Sequence, residues 1–242
     1  GDVYKRQAIS CVLIMILLFV FAGSTFAVNE RNEPLPFSDA YDALPDDAVV
    51  CYMMGQPVYK YEVDEYGFIH KNTTTTRNHS SYYTESRLPS SYRNRPVTAH
   101  GGMSTQGFYQ HDTFIYMDED TGEAMARKFE EGATADSILA TIGGFLISLT
   151  PLKNALAAFI GLLMQLPAAT RASIASQIRG YTDEHECCFM LEMRNSYGTF
   201  RAIHPWDGQY AIRYPQSLNP PSVAWVDGVA GYNGNTIWGA SA

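Results

Sequence analysis

The amino-acid sequence predicts an α+β fold: an antiparallel β-sheet with a hydrophobic helical hairpin inserted between an N-terminal and a C-terminal group of strands. Three observations carry this prediction. Short apolar or alternating runs separated by turn residues occupy residues 49–70 and 108–122. Residues 138–169 then contain almost no charge, and strand-like patterns resume after Glu186. This order of strands, helices and strands favours helices packed on one face of the sheet.

The beginning of the chain is typical of a secretory signal peptide. Two basic residues precede the uncharged run AISCVLIMILLFVFA (residues 8–22), and the small residues up to Ala27 suit cleavage. The run is shorter than the roughly 20 residues that span a bilayer, which disfavours an uncleaved anchor. We therefore expect removal of residues 1–27 and a secreted, extracellular protein. The first seven residues, GDVYKRQ, also resemble a translated sequencing-adapter remnant and would then not be native.

The remaining chain has the composition of one packed domain. Hydrophobic residues make up 46% and aromatic residues 13% of the sequence, which is ample for a core. The formal net charge of −8 disfavours a nucleic-acid partner, because phosphate groups need cationic side chains. Residues 28–48 are acidic and contain prolines, so we expect a solvated lead-in before a single α+β domain over residues 49–242.

The first strands are predicted from short apolar and alternating runs. Residues 49–53 (VVCYM) have a buried-strand pattern, and residues 58–63 and 68–70 form a hairpin around Gly67. Residues 108–117 (FYQHDTFIYM) predict a further strand, which a turn at residues 118–122 closes.

Residues 71–106 lie between these strands and contain few aliphatic side chains. Because Ser, Thr, Tyr and Arg dominate, we expect a long, flexible flap that buries little apolar surface. Arginine and tyrosine together are common in binding surfaces. The alternative is a solvated loop that binds nothing. The candidate surface-binding residues are Arg77, Tyr82, Tyr83, Arg87, Tyr92, Arg93 and Arg95.

Three consecutive helices are predicted within residues 135–179. Thr150-Pro151 is a helix start signal, since Thr caps a helix and Pro suits its first position. Pro167 interrupts the pattern again, and Gly180 suits the end of the last helix. The predicted helices cover residues 135–149, 151–166 and 168–179.

The first two predicted helices form a hairpin with one large apolar stripe and an opposite stripe of small residues. The small stripe includes Ala158 and Gly161, and such stripes let two helix backbones approach closely. The large stripe consists of Ile138, Ile142, Phe145, Leu149, Leu152, Leu156, Phe159, Leu163 and Leu166.

Two interpretations of this hairpin compete: it is ordinary core packed on the sheet, or it leaves the fold and enters a bilayer. A helix of about 15 residues is roughly 23 Å long, which is less than the hydrocarbon thickness of about 30 Å. A helix with almost no charge around its circumference nevertheless favours burial on every side, and a sheet covers only one. The residues alone leave both interpretations open.

Strand patterns at residues 188–193, 199–203 and 209–214 complete the sheet, and three cysteines remain after signal-peptide removal. Thiols outside the cytoplasm tend to pair, while neighbours in a strand point to opposite faces. One of Cys187 and Cys188 is therefore a candidate disulfide partner of Cys51. Three buried thiols are the alternative.

The sequence predicts no catalytic, cofactor-binding or metal-binding residues. Residues 185–188 (HECC) place three ligand types together, but their spacing does not suit chelation. His100 and His111 lie near serines, yet no Gly-x-Ser-x-Gly elbow accompanies them. These features favour a non-enzymatic protein.

We therefore expect a secreted bacterial protein that acts at a cell envelope through a membrane-active helical hairpin. It is analogous to bacteriocin-like and pore-forming proteins in architecture alone, and architecture does not fix function. The expected partners are a membrane lipid or a cell-envelope polymer, without nucleic acid or a small-molecule cofactor. The alternative is a soluble extracellular binding or structural module in which the hairpin is ordinary core.

Overall fold

A six-stranded antiparallel sheet organises the fold. The computed structural model describes residues 37–70, 83–105, 108–142, 150–215 and 223–239. All of these lie in the compact unit Leu35–Ala242. The other unit, Gly1–Pro34, lies outside the described residues, so the signal peptide stays a prediction.

Ten strands and five α-helices are formed by the described residues. The strands are β1 (Val49–Met53), β2 (Gln56–Tyr59), β3 (Tyr83–Arg87), β4 (Val97–Thr105), β5 (Phe108–Asp118), β6 (Cys187–Asn195), β7 (Gly198–Pro205), β8 (Tyr210–Pro215), β9 (Val223–Gly231) and β10 (Thr236–Gly239). The helices are α1 (Asp39–Asp42), α2 (Glu119–Glu131), α3 (Ala135–Thr141), α4 (Thr150–Met164) and α5 (Ala168–His185).

The central sheet has the strand order β10-β9-β4-β5-β6-β7, and two-stranded sheets are formed by β1 with β2 and by β3 with β8. Every pairing in the central sheet is antiparallel. The helices α2 to α5 all lie between β5 and β6 in the chain. The predicted α+β class, with helices inserted between two groups of antiparallel strands, is confirmed.

The two faces of the central sheet belong to two separate cores. Because side chains alternate along a strand, Phe114 and Tyr116 of β5 join a first core with β1, β2 and β8. Ile115 and Met117 point the other way and join a second core with helices α2 to α5. The side of the sheet that carries Ile115 is called the helix side below.

Helix α2 corrects the predicted turn at residues 118–122. The Asp118 side chain accepts a hydrogen bond from the Thr121 backbone N–H at 3.0 Å, as a helix N-cap does. The helix ends at Glu131, and its C-cap Gly132 has a left-handed φ of +67°. Asp and Gly favour both turns and helix ends. The composition of residues 118–122 therefore does not distinguish a turn from the start of a helix.

Helix α5 runs to His185, so the predicted stop at Gly180 is also wrong. The reason lies in tertiary packing against α2. A Cβ atom at Gly122 of α2 would lie 2.8 Å from Cγ2 of Thr182, so the two helices touch closely beyond Gly180. Arg179 reinforces the contact by bonding Glu123 and Glu130 of α2.

The large apolar stripe of the predicted hairpin packs against the helix side of the sheet. Its described residues Ile138, Ile142, Leu152, Leu156, Phe159, Leu163 and Leu166 are all buried in the second core. Phe145 and Leu149 lie outside the described residues. On the opposite side of α4, Asn154 and Gln165 are exposed and Ala158 and Gly161 are partly exposed.

The predicted flap contains two strands, which corrects the expectation of irregular structure over residues 83–87 and 97–105. Strand β4 lies between β5 and β9, in the middle of the sheet. It lacks aliphatic bulk because Trp225 of β9 lies directly over Gly102. Residues 71–82 and 106 of the flap lie outside the described residues.

The lead-in is also partly packed, contrary to the expectation of a solvated segment. Phe37 stacks on Tyr41 of α1, with ring centroids 3.9 Å apart. Both rings contact Phe200 of β7, and Phe37 forms an isolated bridge with Gly198.

The predicted disulfide is absent, since all three described cysteines are buried thiols. Cys51 and Cys187 lie in the first core, whereas Cys188 faces the second. Burial raises the pKa of the Cys187 thiol to about 11 and that of Cys188 to about 12.

Candidate functional site

The register of the sheet divides its helix side into apolar and polar rows. Ile115, Met190 and Ile203 are paired neighbours across β5, β6 and β7 and belong to the second core. Two residues further along each strand, away from the helices, the row is polar. It consists of His100, Thr113, Glu192 and Arg201.

The next row towards the far end of the strands combines aromatic and charged side chains. It consists of Trp225, Gly102, His111 and Arg194 from β9, β4, β5 and β6. Tyr109 of β5 follows on the same face, and Asp227 occupies a bulge of β9 beside His100. These two rows with Tyr109 and Asp227 are called the polar end of the sheet.

Glu192 is the buried centre of a charged group in the polar end. Its carboxylate accepts a hydrogen bond from Arg194 Nε at 2.6 Å, and Arg201 Nε lies 3.7 Å away. Glu192 is 1% exposed and Arg201 3%. Burial raises the pKa of Glu192 and lowers that of Arg201, while their mutual attraction opposes both changes. Because desolvation of the charges offsets much of their attraction, such a buried group depends on good geometry between its members.

A loop before β3 fixes the position of Arg201. Arg201 Nη1 donates to the Tyr66 carbonyl at 2.8 Å, and the guanidinium lies over the Phe68 ring at 6.0 Å. The backbones are also joined, because Arg201 N donates to Gly67 O at 2.7 Å. These contacts therefore fix the position of Arg201 within the polar end.

Two histidines lie side by side on β4 and β5, with ring centroids 5.6 Å apart. His100 Nδ1 donates to the Asp112 carbonyl at 2.9 Å, which leaves Nε2 facing Asp227 at 3.5 Å. Burial lowers the pKa of both His100 and His111, and the nearby Asp227 opposes this effect.

Gly102 leaves room for the indole ring of Trp225 to lie against strand β4; this position of the ring is called its seat. A Cβ atom on Gly102 would lie 2.2 Å from Cζ2 of the indole, so only glycine lets the ring lie against the strand. The indole stacks on Tyr109 with centroids 5.3 Å apart and meets the edge of His111 at 5.5 Å. Tyr109 itself is 58% exposed. The polar end therefore presents an exposed aromatic ring that has a fixed ring behind it.

Four buried side-chain atoms of the polar end have no hydrogen-bond partner among the described residues. Two of these atoms, Glu192 Oε2 and Arg201 Nε, face each other in an ion pair at 3.7 Å. Buried polar atoms are nearly always paired in proteins, so the other two call for an explanation such as a ligand or bound water. The Arg194 and Asp227 side chains are 34% and 31% exposed, and thus reach solvent beside these atoms. The four atoms are His111 Nδ1, Glu192 Oε2, Arg194 Nη2 and Arg201 Nε.

The described residues of the predicted binding flap do not belong to the polar end, and most of them pack against other parts of the fold. Tyr92 packs over Gly231 and meets the edge of Tyr232, with centroids 6.1 Å apart. Arg95 lies over the Tyr232 ring at 5.6 Å, and Arg93 Nε donates to a backbone carbonyl at 2.9 Å. Arg87 is exposed at the end of β3, and Tyr83 begins that strand. Arg77 and Tyr82 lie outside the described residues.

Sequence reasoning missed the polar end, although two signals pointed to it. His111 alternates with Tyr109 and Thr113 on one face of β5. The pair Gly101-Gly102 inside a strand also marks a close approach of another group. The sequence had singled out His100 and His111 without a role for them.

Comparisons with known proteins identify no relative. No protein-family model, no curated protein and no solved structure matches the chain. Within the described ranges, no group of three or more His, Cys, Asp or Glu side chains could hold a metal ion. None of the described helices is alone long and apolar enough to cross a membrane. One pair, Leu152–Met164 and Ala168–His185, reaches that length and composition together but is bent by 120°.

Proposed function

We propose that this chain is an exported binding module whose helical hairpin is ordinary core and whose ligand contacts the polar end of the sheet. The ligand belongs to a cell envelope, the partner that the sequence favours. The observation that carries the proposal is the exposed Tyr109 ring beside buried polar atoms of His111 and Arg194 that no described residue bonds.

The packing of the hairpin supports this function over membrane insertion. Leu156, Phe159 and Leu163 of α4 are buried in the same core as Ile115 and Met190 of the sheet. Fully burying each such side chain stabilises a protein by about 1.5–3 kcal/mol. Release of the helices would expose these residues and uncover the apolar rows of the sheet.

The construction of the polar end supports a ligand rather than an incidental surface. Trp225 is held against Gly102, and Arg201 is held by the Tyr66 carbonyl. Binding surfaces commonly combine a rigid aromatic ring with a small number of placed polar groups. Both components are present here on adjacent strands.

A vesicle experiment tests the proposed function. The mature protein is added at micromolar concentration to dye-loaded phosphatidylglycerol vesicles, with Phe159→Asp as the comparison. We expect no dye release from either protein. We also expect Phe159→Asp to lower the free energy of unfolding by several kcal/mol, since it buries an unpaired charge. Dye release by the wild type that is lost in Phe159→Asp would contradict the proposal.

A second candidate function is the membrane-active hairpin itself. The specific observation in its favour is the bent pair Leu152–Met164 and Ala168–His185, which together are long and apolar enough to cross a membrane. The outward side of α4 adds to this, because Ala157, Ala158 and Gly161 carry no polar side chain. Dye release by the wild type in the same assay is the result that this candidate predicts.

A further inference from the structure

We propose that the ligand of the polar end is a neutral saccharide, which stacks one sugar ring on Tyr109 and bonds its hydroxyl groups to Arg194 and Asp227. This inference rests on the proposed function, because it names the ligand class of the same site. It follows from three properties of the site: an accessible aromatic face, a mixture of donors and acceptors, and balanced charge.

The aromatic face suits the C–H side of a sugar ring. Tyr109 is 58% exposed, and Trp225 stacks behind it at a centroid distance of 5.3 Å. Trp225 is in turn seated on Gly102. A ring that is already fixed loses little conformational entropy when a ligand stacks on it. A sugar ring has apolar C–H faces and a polar rim of hydroxyl groups, so it suits an aromatic ring that has polar groups beside it.

The polar groups suit hydroxyls, which both donate and accept hydrogen bonds. Arg194, whose side chain is 34% exposed, supplies guanidinium donors, and Asp227, at 31%, supplies carboxylate acceptors. His111 lies on β5, between the strands that carry Arg194 and Asp227, and its ring nitrogens can donate or accept according to the tautomer. A phosphate or carboxylate ligand would use the donor and be repelled by the acceptor.

The charge balance also disfavours an anion. Arg194 and Arg201 share the carboxylate of Glu192, at 2.6 Å and 3.7 Å. Asp227 adds a second carboxylate 3.5 Å from the His100 ring, whose pKa is lowered by burial. The polar end therefore contains two guanidinium groups and two carboxylates, and no excess of positive charge remains to hold an anion.

An NMR titration of the mature protein tests the saccharide assignment. The probes are the neutral tetramers of glucose and of N-acetylglucosamine, with sodium phosphate as the anionic alternative. We expect a tetramer to shift the indole N–H signal of Trp225. We expect Tyr109→Ala to weaken its binding by about tenfold or more, and Tyr109→Phe to retain binding because the ring face remains.

Tyr61 provides the matched control for Tyr109. It is an exposed tyrosine, at 66%, and stacks on Tyr59 with centroids 5.7 Å apart, but it lies outside the polar end. Tyr61→Ala removes a comparable exposed ring, and we expect it to leave saccharide binding unchanged. Equal weakening by both substitutions would overturn the assignment of the site.

The remaining outcomes separate the saccharide inference from the proposed function. Phosphate binding that shifts Arg194 signals and is insensitive to Tyr109→Ala would overturn the saccharide class and keep the binding function. No shift at the polar end with either tetramer would overturn the saccharide inference. Dye release from vesicles by the wild type that is lost in Phe159→Asp would overturn the proposed function, whatever the titration shows.

Discussion

Gly102 is the residue at which the construction of the polar end can be tested most simply. In Gly102→Ala the new Cβ atom would lie 2.2 Å from Cζ2 of Trp225 and 2.4 Å from the carbonyl oxygen of Gln110. The indole can move away from this contact, but the carbonyl belongs to the backbone of β5 and cannot move without its strand. Overpacking costs about 1–3 kcal/mol. Because a backbone atom is involved, we predict a loss of about 2–3 kcal/mol in the free energy of unfolding.

Urea unfolding followed by circular dichroism measures this loss, and Gly161→Ala is the matched control. A Cβ atom at Gly161 meets nothing within 4 Å, and the residue lies inside α4. Alanine there should stabilise the protein by about 0.5–1 kcal/mol, because glycine is unfavourable in a helix. If Gly102→Ala were as stable as the wild type and kept its tryptophan emission spectrum, the proposed seat of Trp225 would be wrong.

Three further predictions concern buried or paired groups. Burial lowers the pKa of His204 from 6.5 to about 4, so the unfolded state binds a proton at a higher pH than the folded state does. The free energy of unfolding therefore falls as the pH drops from about 6.5 towards 4, by up to about 3 kcal/mol. In His204→Gln, unfolding curves recorded across this pH range should show a smaller loss; an unchanged loss would contradict the assignment. The raised pKa values of Cys187 and Cys188, about 11 and 12, predict slow reaction of the native protein with a disulfide reagent near pH 8 and fast reaction in urea. Fast reaction without urea would mean that these thiols are accessible. Arg179 lowers the pKa of the Glu123 carboxyl, so Arg179→Met should raise that pKa in an NMR titration while stability changes little, since exposed ion pairs contribute little. An unchanged Glu123 pKa would show that the bond is not formed in solution.

The order of helices and strands was predictable because the chain changes its periodicity sharply. The apolar spacing of Ile138, Leu152 and Phe159 indicates helices, and these residues do lie in the helical core. The alternation in β5 likewise indicates a strand, and its two faces enter two different cores. Where many large apolar side chains repeat with one period, the local sequence is enough to predict whether the segment forms a helix or a strand.

Strand β4 could not be predicted in the same way. Its residues VTAHGGMST lack the bulky side chains that mark a central strand, because the space beside Gly102 is filled by Trp225 from β9. That partner lies far away in the sequence. The small and polar residues of this segment therefore predict a flap, although a distant tryptophan covers the strand.

The polar end was hidden for a related reason. His111, Arg194 and Trp225 become neighbours only through the pairing registers of β4, β5, β6 and β9. A shift of one residue in any register would send these side chains to the other face. Sequence identified the chemical types of these residues, whereas the sheet determined which of them meet.

Hydrogen exchange of the α4 amides, with and without phosphatidylglycerol vesicles, tests most directly whether the hairpin is core. If Leu152–Met164 stays packed on Ile115 and Met190, the amides of α4 keep the same protection in both samples. Vesicle-dependent loss of protection in α4, together with exposure of the apolar rows of β5 and β6, would mean that the helices leave the sheet for lipid.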